Sequence, residues 1–277
     1  IGIAANGTNS IPSFTAVNAG SSPVSSTLTV TASNAGCTTT PYLFTITVNP
    51  LPTANVPSSQ NVCNLTSIAA SNFTSNPAGA NFTWTNSNTA IGLAASGSGD
   101  VPSFIATNAS TSAISGNIVV TPSLNGCIGN SSTYSISLKP TPQAVVPANQ
   151  LVCTGAFVPA SAFSSLPNGA TYTWINTDPS IGLAPSGSNN TPVFTALNSS
   201  SSQVTATIDV TATLNGCVGP NIPYTITVNP APVVTAPSNQ IVCDGAATTA
   251  TGFSSVPSGA TYTWSNSNPA IGLASNG

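Results

Sequence analysis

The sequence contains no histidine and no methionine, and only 2% of its 277 residues carry a charge. The charged residues are Asp100, Lys139, Asp178, Asp209 and Asp244. General acid–base catalysis needs a side chain that titrates near neutral pH, usually a histidine or a close pair of carboxylates. Without histidine, the abundant serines and threonines have no base to activate them as nucleophiles. The sequence therefore predicts that the chain is not an enzyme and that it uses no cofactor.

The composition of the chain argues against three kinds of partner. One lysine and no arginine cannot neutralise a phosphate backbone, so we expect no nucleic-acid partner. No stretch approaches the run of about 20 apolar residues that spans a membrane. The aspartates are isolated along the chain and cannot together supply the roughly six to eight oxygens of a calcium site. A surface hydrated by Ser, Thr and Asn also repels its neighbours weakly, which permits filaments to associate side by side.

The most informative positive feature is a long internal repeat. A seven-residue phrase that begins at Ile1 returns at Ile91, Ile181 and Ile271, a step of 90 residues each time. Such a constant period is the signature of a tandem array. Proline clusters recur between the copies, and they predict short, semi-rigid joints. The predicted domains are the C-terminal part of a repeat (1–49), two complete repeats (50–139 and 140–229) and the N-terminal part of a further repeat (230–277).

Each repeat is predicted to be an immunoglobulin-like β-sandwich. Apolar residues two apart, such as Tyr134 and Ile136, alternate with Ser and Thr, and this alternation is typical of half-buried strands. About seven short strands and one tryptophan in each repeat fit the immunoglobulin fold. The competing fold, a parallel β-helix, would add a shorter period of about 20–30 residues, which is missing. The predicted core residues are Phe73, Trp84, Phe104, Ile118, Tyr134 and Ile136 in one repeat, and Phe163, Trp174, Phe194, Ile208, Tyr224 and Ile226 in the next.

The fold class is therefore all-β, a tandem array of about 90-residue β-sandwich domains that forms an extended filament. With strands of roughly nine residues, each domain would be roughly 30–40 Å long.

The six cysteines occupy two positions of the repeat. Cys37, Cys127 and Cys217 share one position, and Cys63, Cys153 and Cys243 share the other. With no histidine and no CxxC motif, they are candidates for disulfides rather than for a zinc site. Three alternatives remain open at this point. Pairing within a repeat would join Cys63 to Cys127 and Cys153 to Cys217. Pairing between neighbouring domains would join Cys63 to Cys217, and the third alternative is free thiols.

The repeat resembles a known family. The residues that carry the resemblance are Val62-Cys63, Tyr172-Thr173-Trp174, Ile181–Gly187, Pro192-Val193-Phe194, Asn215-Gly216-Cys217 and Tyr224–Pro230. They are similar to the PKD-like, Ig-like tandem repeats of giant Bacteroidota cell-surface adhesins, including the SprB-type gliding adhesins exported by type IX secretion. The resemblance covers the whole chain. It implies an extracellular filamentous stalk, anchored to the outer membrane through a region not contained in these residues and used for adhesion or gliding motility.

Three functions are compatible with the sequence. The first is a structural stalk, whose partners are neighbouring repeats of the same chain and which meets an external surface or glycan through other regions. The second is a set of weak polysaccharide-binding modules that act by avidity. The third is an ice-binding surface, because the strands are rich in threonine. The threonines alternate with core residues, however, and the recurring aromatics Phe73, Trp84 and Phe104 lie in strand patterns, so the stalk is the leading hypothesis.

Overall fold

The computed structural model describes residues 1–277, which form two compact units, Ile1–Thr141 and Pro142–Gly277. The chain is all-β and consists of tandem immunoglobulin-like β-sandwiches. Its helices are short 3₁₀ turns at Thr89–Ile91, Pro179–Ile181 and Pro269–Ile271. None of its helices has the length and apolar character that a membrane crossing requires.

The first unit contains strands β1 to β14. They are β1 Val24–Val30, β2 Ser33–Asn34, β3 Cys37–Thr38, β4 Tyr42–Val48, β5 Thr53–Asn55, β6 Gln60–Cys63, β7 Ser67–Ile68, β8 Thr74–Asn76, β9 Asn81–Asn86, β10 Ser96–Ser98, β11 Phe104–Ile105, β12 Ile114–Leu124, β13 Cys127–Ile128 and β14 Ser132–Lys139.

The second unit contains strands β15 to β25. They are β15 Gln143–Val145, β16 Gln150–Cys153, β17 Phe157–Val158, β18 Ser164–Leu166, β19 Thr171–Asn176, β20 Ser186–Ser188, β21 Phe194–Thr195, β22 Val204–Leu214, β23 Cys217–Asn229, β24 Val233–Thr235 and β25 Ser254–Val256.

The main sheet has the same strand order in both units. In the first unit the order is β10-β9-β12-β14-β6, with β13 paired to β12, and in the second it is β20-β19-β22-β23-β16. The last strand of each repeat is parallel to β6 or β16, whereas the other pairs of this sheet are antiparallel. The short pairs β5–β8 and β7–β11, with their counterparts β15–β18 and β17–β21, complete each sandwich.

The core of each sandwich is built by alternation along the long strands. In β12, Ile118 and Val120 are fully buried, and in β14 Ile136 and Leu138 are fully buried. Every residue of the predicted core is at most 9% exposed except Phe104. Phe104 is half-buried and packs against the core from the two-stranded pair β7–β11. Its counterpart Phe194, in the equivalent pair β17–β21, is buried.

Four of the seven positions of the repeated phrase Ile-Gly-Leu-Ala-x-Ser-Gly have a structural reason. In the copy that begins at Ile181, Ile181 and Leu183 are at most 1% exposed. Gly182 ends a 3₁₀ turn at a φ of 95°, and a Cβ there would overlap the carbonyl oxygen of Thr195. Gly187 lies beneath the indole of Trp174, where a Cβ would meet Cε2 at 2.6 Å and Nε1 at 3.0 Å. Two glycines are therefore required, one for backbone conformation and one for space.

The two flanking segments contain parts of the same pattern. Residues 1–49 form the β1–β4 hairpin, with Val24 opposite Val48, and residues 230–277 form the β24–β25 pair. Phe253, which occupies the position of the buried Phe73 and Phe163, is 40% exposed. The domain boundaries given above stay predictions.

Candidate functional site: the two ends of each repeat

The few ionisable side chains have local structural roles. No group of three or more His, Cys, Asp or Glu side chains lies together as a metal site would require. Asp100 accepts a hydrogen bond from the backbone N–H of Phe73 at 2.8 Å, and Asp178 accepts one from Ser180 at 3.0 Å. Burial raises the pKa of Tyr134. Its hydroxyl donates a hydrogen bond to Ser71 at 3.3 Å, and this smaller effect lowers the pKa. These contacts hold turns and core residues in place.

The cysteine at the Cys63 position lies where the chain leaves its repeat, which we call the exit end. In the parallel ladder between β6 and β14, Cys63 is the partner of Lys139, the last residue of β14. The next N–H along, that of Asn64, donates to the carbonyl of Lys139 at 2.9 Å. In the second unit Cys153 is likewise the ladder partner of Asn229. The parallel pairing of β6 with β14, and of β16 with β23, therefore places this cysteine beside the departing chain.

An asparagine that is half-buried in the second unit and buried in the first organises the same end. The amide of Asn198 donates to the carbonyl of Val228 at 2.7 Å and to that of Ser202 at 2.8 Å. Its Oδ1 accepts from the N–H of Ser200 at 2.9 Å and from the hydroxyl of Ser200 at 2.8 Å. The network ties the loop before β22 to the last residues of β23, and Asn108 makes the corresponding contacts in the first unit. This asparagine thus fixes the position of the exit end.

Replacement of Asn198 by alanine should lower the stability of the second unit by about 1–2 kcal/mol, because the carbonyl of Val228 would lose its side-chain donor in a part-buried setting. Asn221→Ala is the matched control, because Asn221 is exposed on β23, the strand that contains Val228. The stability of this variant should stay within about 0.5 kcal/mol of the parent. Urea unfolding with peptide-resolved hydrogen exchange would measure both. Equal effects of the two changes would show that the Asn198 network contributes nothing.

The cysteine at the Cys127 position lies at the opposite end, where the chain enters its repeat. Cys127 pairs with Leu124 at the tip of the β12–β13 hairpin. A Cβ on Gly129 would overlap the carbonyl oxygen of Pro52, so this hairpin lies directly against the entering chain. In addition, the hydroxyl of Ser132 donates to the carbonyl of Ala54 at 2.9 Å. We call this the entry end.

The second unit has the same entry end. Cys217 pairs with Leu214 at the hairpin tip between β22 and β23. A Cβ on Gly219 would overlap the carbonyl oxygen of Pro142 and would lie 3.2 Å from the carbonyl oxygen of Ala212. The entering chain therefore passes against the hairpin that carries the cysteine in both units, and Cys217 itself is fully buried.

These positions correct the pairing of cysteines within a repeat. Along β12, the exit end at Ile114 and the entry end at Leu124 are separated by roughly 33 Å at the rise of an extended strand. A disulfide requires Cα atoms within about 4.4–6.8 Å. Cys63 and Cys127 therefore cannot meet. Cys127 and Cys153 are free thiols, as are Cys37 and Cys243, whereas Cys63 and Cys217 are disulfide-bonded.

The first unit also has an open groove of about 540 Å³ beside its aromatic residues. Phe73, Phe82 and Asp100 contribute to its lining. The Phe73 ring packs edge-on against Phe82 at 5.6 Å and against Tyr134 at 6.3 Å between centroids, and its side chain is buried. An aromatic platform for a sugar needs an exposed ring face, which Phe73 does not offer. Most of the other lining residues are exposed and polar, so the groove offers no stacking face from Phe73.

The chain matches no protein-family model and no curated protein. Solved structures of tandem immunoglobulin and cadherin domains do match it. Tandem Ig repeats of Dlar share 11% identity over 65% of this chain and 98% of that chain, with a TM-score of 0.24. Human mucin-like protocadherin EC1-2 shares 11% identity over 65% of this chain and 98% of that chain, with a TM-score of 0.33. The insect immune protein hemolin shares 11% identity over 74% of this chain and 56% of that chain, with a TM-score of 0.32. Likeness at this level assigns neither partner nor activity.

Proposed function

We propose that this chain is a stalk segment of a long extracellular bacterial surface adhesin that serves attachment or gliding motility. The observation that carries the proposal is the position of the two chain ends in each sandwich. The chain enters at the hairpin that contains Cys127 or Cys217 and leaves beside Cys63 or Cys153. Because entry and exit lie at opposite ends of the long strands, each added repeat contributes its full length to the array.

The joint between repeats supports this reading. Only Pro140 and Thr141 separate Lys139, the last residue of β14, from Pro142 at the next entry end. Proline fixes its own φ and restricts the residue before it, so a Pro-Thr-Pro joint resists coiling. The partners of each repeat in such a stalk are its neighbours in the same chain. The proposed repeat boundaries therefore fall at these joints, after residues 49, 139 and 229.

The surface of the sandwiches suits exposure to an external medium. Cross-strand hydroxyl pairs replace ion pairs, as between Ser25 and Thr47 at 2.8 Å and between Thr205 and Thr227 at 2.9 Å. Interactions of this kind are not screened by salt, unlike those between exposed charges. Weak repulsion between such surfaces also permits lateral association of filaments. The proposed location is therefore the cell surface, reached by type IX secretion and anchored to the outer membrane through regions outside residues 1–277, as in the SprB-type adhesins that the sequence resembles.

Small-angle X-ray scattering of this chain, and of versions lengthened by further copies of residues 140–229, tests the stalk. We expect the maximum dimension to grow by roughly 30–40 Å with each added repeat. A particle that stays compact as repeats are added would overturn the proposal. The same proteins should fail to bind immobilised polysaccharides, and binding that strengthens with repeat number would favour the alternative in which the repeats are weak polysaccharide-binding modules.

A further inference from the structure

We propose that Asn168 is a site of spontaneous deamidation in the folded chain, at which a sparsely charged repeat acquires a negative charge with time. Asparagine is a chemically labile residue, and most so before glycine, which leaves the attacking backbone nitrogen unhindered. Within the two complete repeats, asparagine precedes glycine three times, at Asn125, Asn168 and Asn215. The sequence alone does not rank these three sites, whereas the structure does. The proposal does not depend on what the array binds.

The reaction needs no partner except water. The backbone nitrogen of Gly169 loses its proton and attacks Cγ of Asn168. A C–N bond forms, the bond between Cγ and Nδ2 breaks, and ammonia leaves, so that the product is a five-membered succinimide ring. Water then opens the ring at one of its two carbonyl carbons. Opening at Cγ gives aspartate, and opening at the main-chain carbonyl gives isoaspartate, whose main chain is longer by one carbon.

Ring closure places a demand on the backbone. The attacking nitrogen reaches Cγ only when the peptide unit after the asparagine is turned toward the side chain of that asparagine. A backbone that is held in another conformation must first open locally. The free energy of such opening ranges from near zero in exposed connections to the full stability of the domain in paired strands. The rate of deamidation in the folded chain therefore depends on how firmly each Asn-Gly peptide is held.

Asn125 and Asn215 are held firmly. Asn125 and Gly126 have φ values of 50° and 80°, and two successive left-handed residues form a type I′ turn. The turn is closed by the pairing of Leu124 with Cys127 in the hairpin. Asn215 lies in the same kind of turn, with φ values of 51° for itself and 83° for the glycine after it. Rotation of either Asn-Gly peptide toward its side chain would disrupt the hairpin.

Asn168 lies in an exposed connection instead. The connection is formed by residues 167–170 between β18 and β19, and it belongs to neither strand ladder. Asn168 is exposed and, unlike Asn125, it is not in the left-handed region. Gly169 is also exposed, and a Cβ there would meet only Leu214, at an ordinary contact distance of 3.9 Å. The peptide between Asn168 and Gly169 therefore has room to turn without loss of strand pairing.

The product would differ clearly from the parent because the chain carries so few charges. One conversion changes the net charge from −3 to −4. The new charge would lie at the entry end of the second unit, where β18 pairs with β15 through Leu166 and Gln143. The residues at the equivalent position of the neighbouring copies are Ala78 and Ser258, which cannot undergo the reaction. The site is therefore specific to one repeat.

The first experiment follows all three sites in one sample. The folded chain is kept in mildly alkaline buffer, and portions withdrawn over time are digested with chymotrypsin and analysed by tandem mass spectrometry. Peptides 125–134, 164–172 and 215–224 each contain one of the three Asn-Gly dipeptides. We expect Asn168 to deamidate at least about tenfold faster than the other two, because opening paired strands costs more free energy than moving an exposed connection. Equal rates, or faster conversion of Asn125, would overturn the proposal.

The same measurement on the unfolded chain separates structure from sequence. In concentrated urea the three sites should react at similar rates, because each asparagine is followed by glycine and no strand pairing remains. If the difference in rate persisted in urea, it would come from the neighbouring residues in the sequence, and the structural explanation would be wrong.

Two matched variants test the position in the fold. Asn168→Ala gives the second repeat the residue that the first has, and its peptide 164–172 should stay unmodified. Ala78→Asn creates an Asn-Gly dipeptide in the equivalent connection of the first repeat, between β8 and β9. Peptide 74–82 of this variant should deamidate at a rate similar to that of Asn168. If it reacted as slowly as Asn125, the exposed connection would not control the reaction, and the proposal would fail.

Discussion

Replacement of Trp174 by alanine should destabilise the second unit by about 3–5 kcal/mol, which is the largest effect that we expect from a single change. Trp174 is 2% exposed and lies in β19, between β20 and β22. Its ring belongs to the core cluster that includes Phe163, and removal would leave a cavity too large for the neighbouring strands to close. Because single domains are stable by only about 5–15 kcal/mol, a large part of the stability would be lost. Urea unfolding followed by circular dichroism would measure the loss.

The adjacent residue provides the control for this prediction. Ile175 follows Trp174 on the same strand, but its side chain is 61% exposed, so Ile175→Ala should change the stability by no more than about 0.5 kcal/mol. Peptide-resolved hydrogen exchange should show faster exchange in β19, β22 and β23 of the Trp174 variant, with β9, β12 and β14 serving as an internal reference. If Trp174→Ala and Ile175→Ala had similar effects, the tryptophan would not be part of the core.

Gly187→Ala should lower the stability of the same unit by about 1–3 kcal/mol, although it adds only one methyl group. That methyl would lie 2.6 Å from Cε2 of Trp174 and 3.0 Å from its Nε1. The indole is confined by the core on its other side, so relief requires β20 to move away from β19. A shift in the urea midpoint, with its slope unchanged, is the expected observation.

A double-mutant cycle can separate this overlap from the general cost of changing a strand glycine. In the Trp174→Ala background, Gly187→Ala should cost little, because the ring that it would overlap is gone. Ser186→Ala, at the exposed neighbour on β20, should be close to neutral in both backgrounds. An unchanged cost of Gly187→Ala without the indole would place the effect in the backbone instead.

The fold class follows from the sequence because its signals are local and repeated. Alternation along residues such as Ile118, Tyr134 and Ile136 is visible in the sequence, and the prediction of an all-β tandem array of immunoglobulin-like sandwiches is confirmed. The period of 90 residues allows each copy to be compared with the others, which strengthens signals that are weak in any one strand.

The position of the cysteines could not be predicted in the same way. Which end of the sandwich holds Cys63 depends on the parallel pairing of β6 with β14, whose partners are about 76 residues apart. Alternation shows which face of a strand is buried, but it contains no information on strand order. Asn198 presents the same difficulty: its sequence neighbours indicate a turn, whereas its hydrogen-bond partner Val228 lies 30 residues later. Likewise, the need for glycine at position 187 becomes apparent only once β19 is known to pair with β20, because that pairing places Trp174 opposite Gly187.

The parallel pairing of β6 with β14 also determines how a repeat would respond to mechanical tension. A force that pulls Lys139 away from the entry end acts along β14, parallel to its ladder with β6. The partners in that ladder run from Ile136 with Gln60 to Lys139 with Cys63, and they would be loaded in shear, so that they must give way together rather than one after another. Tension along an array of such repeats would therefore meet resistance within each repeat where the last strand pairs with β6 or with its counterpart β16.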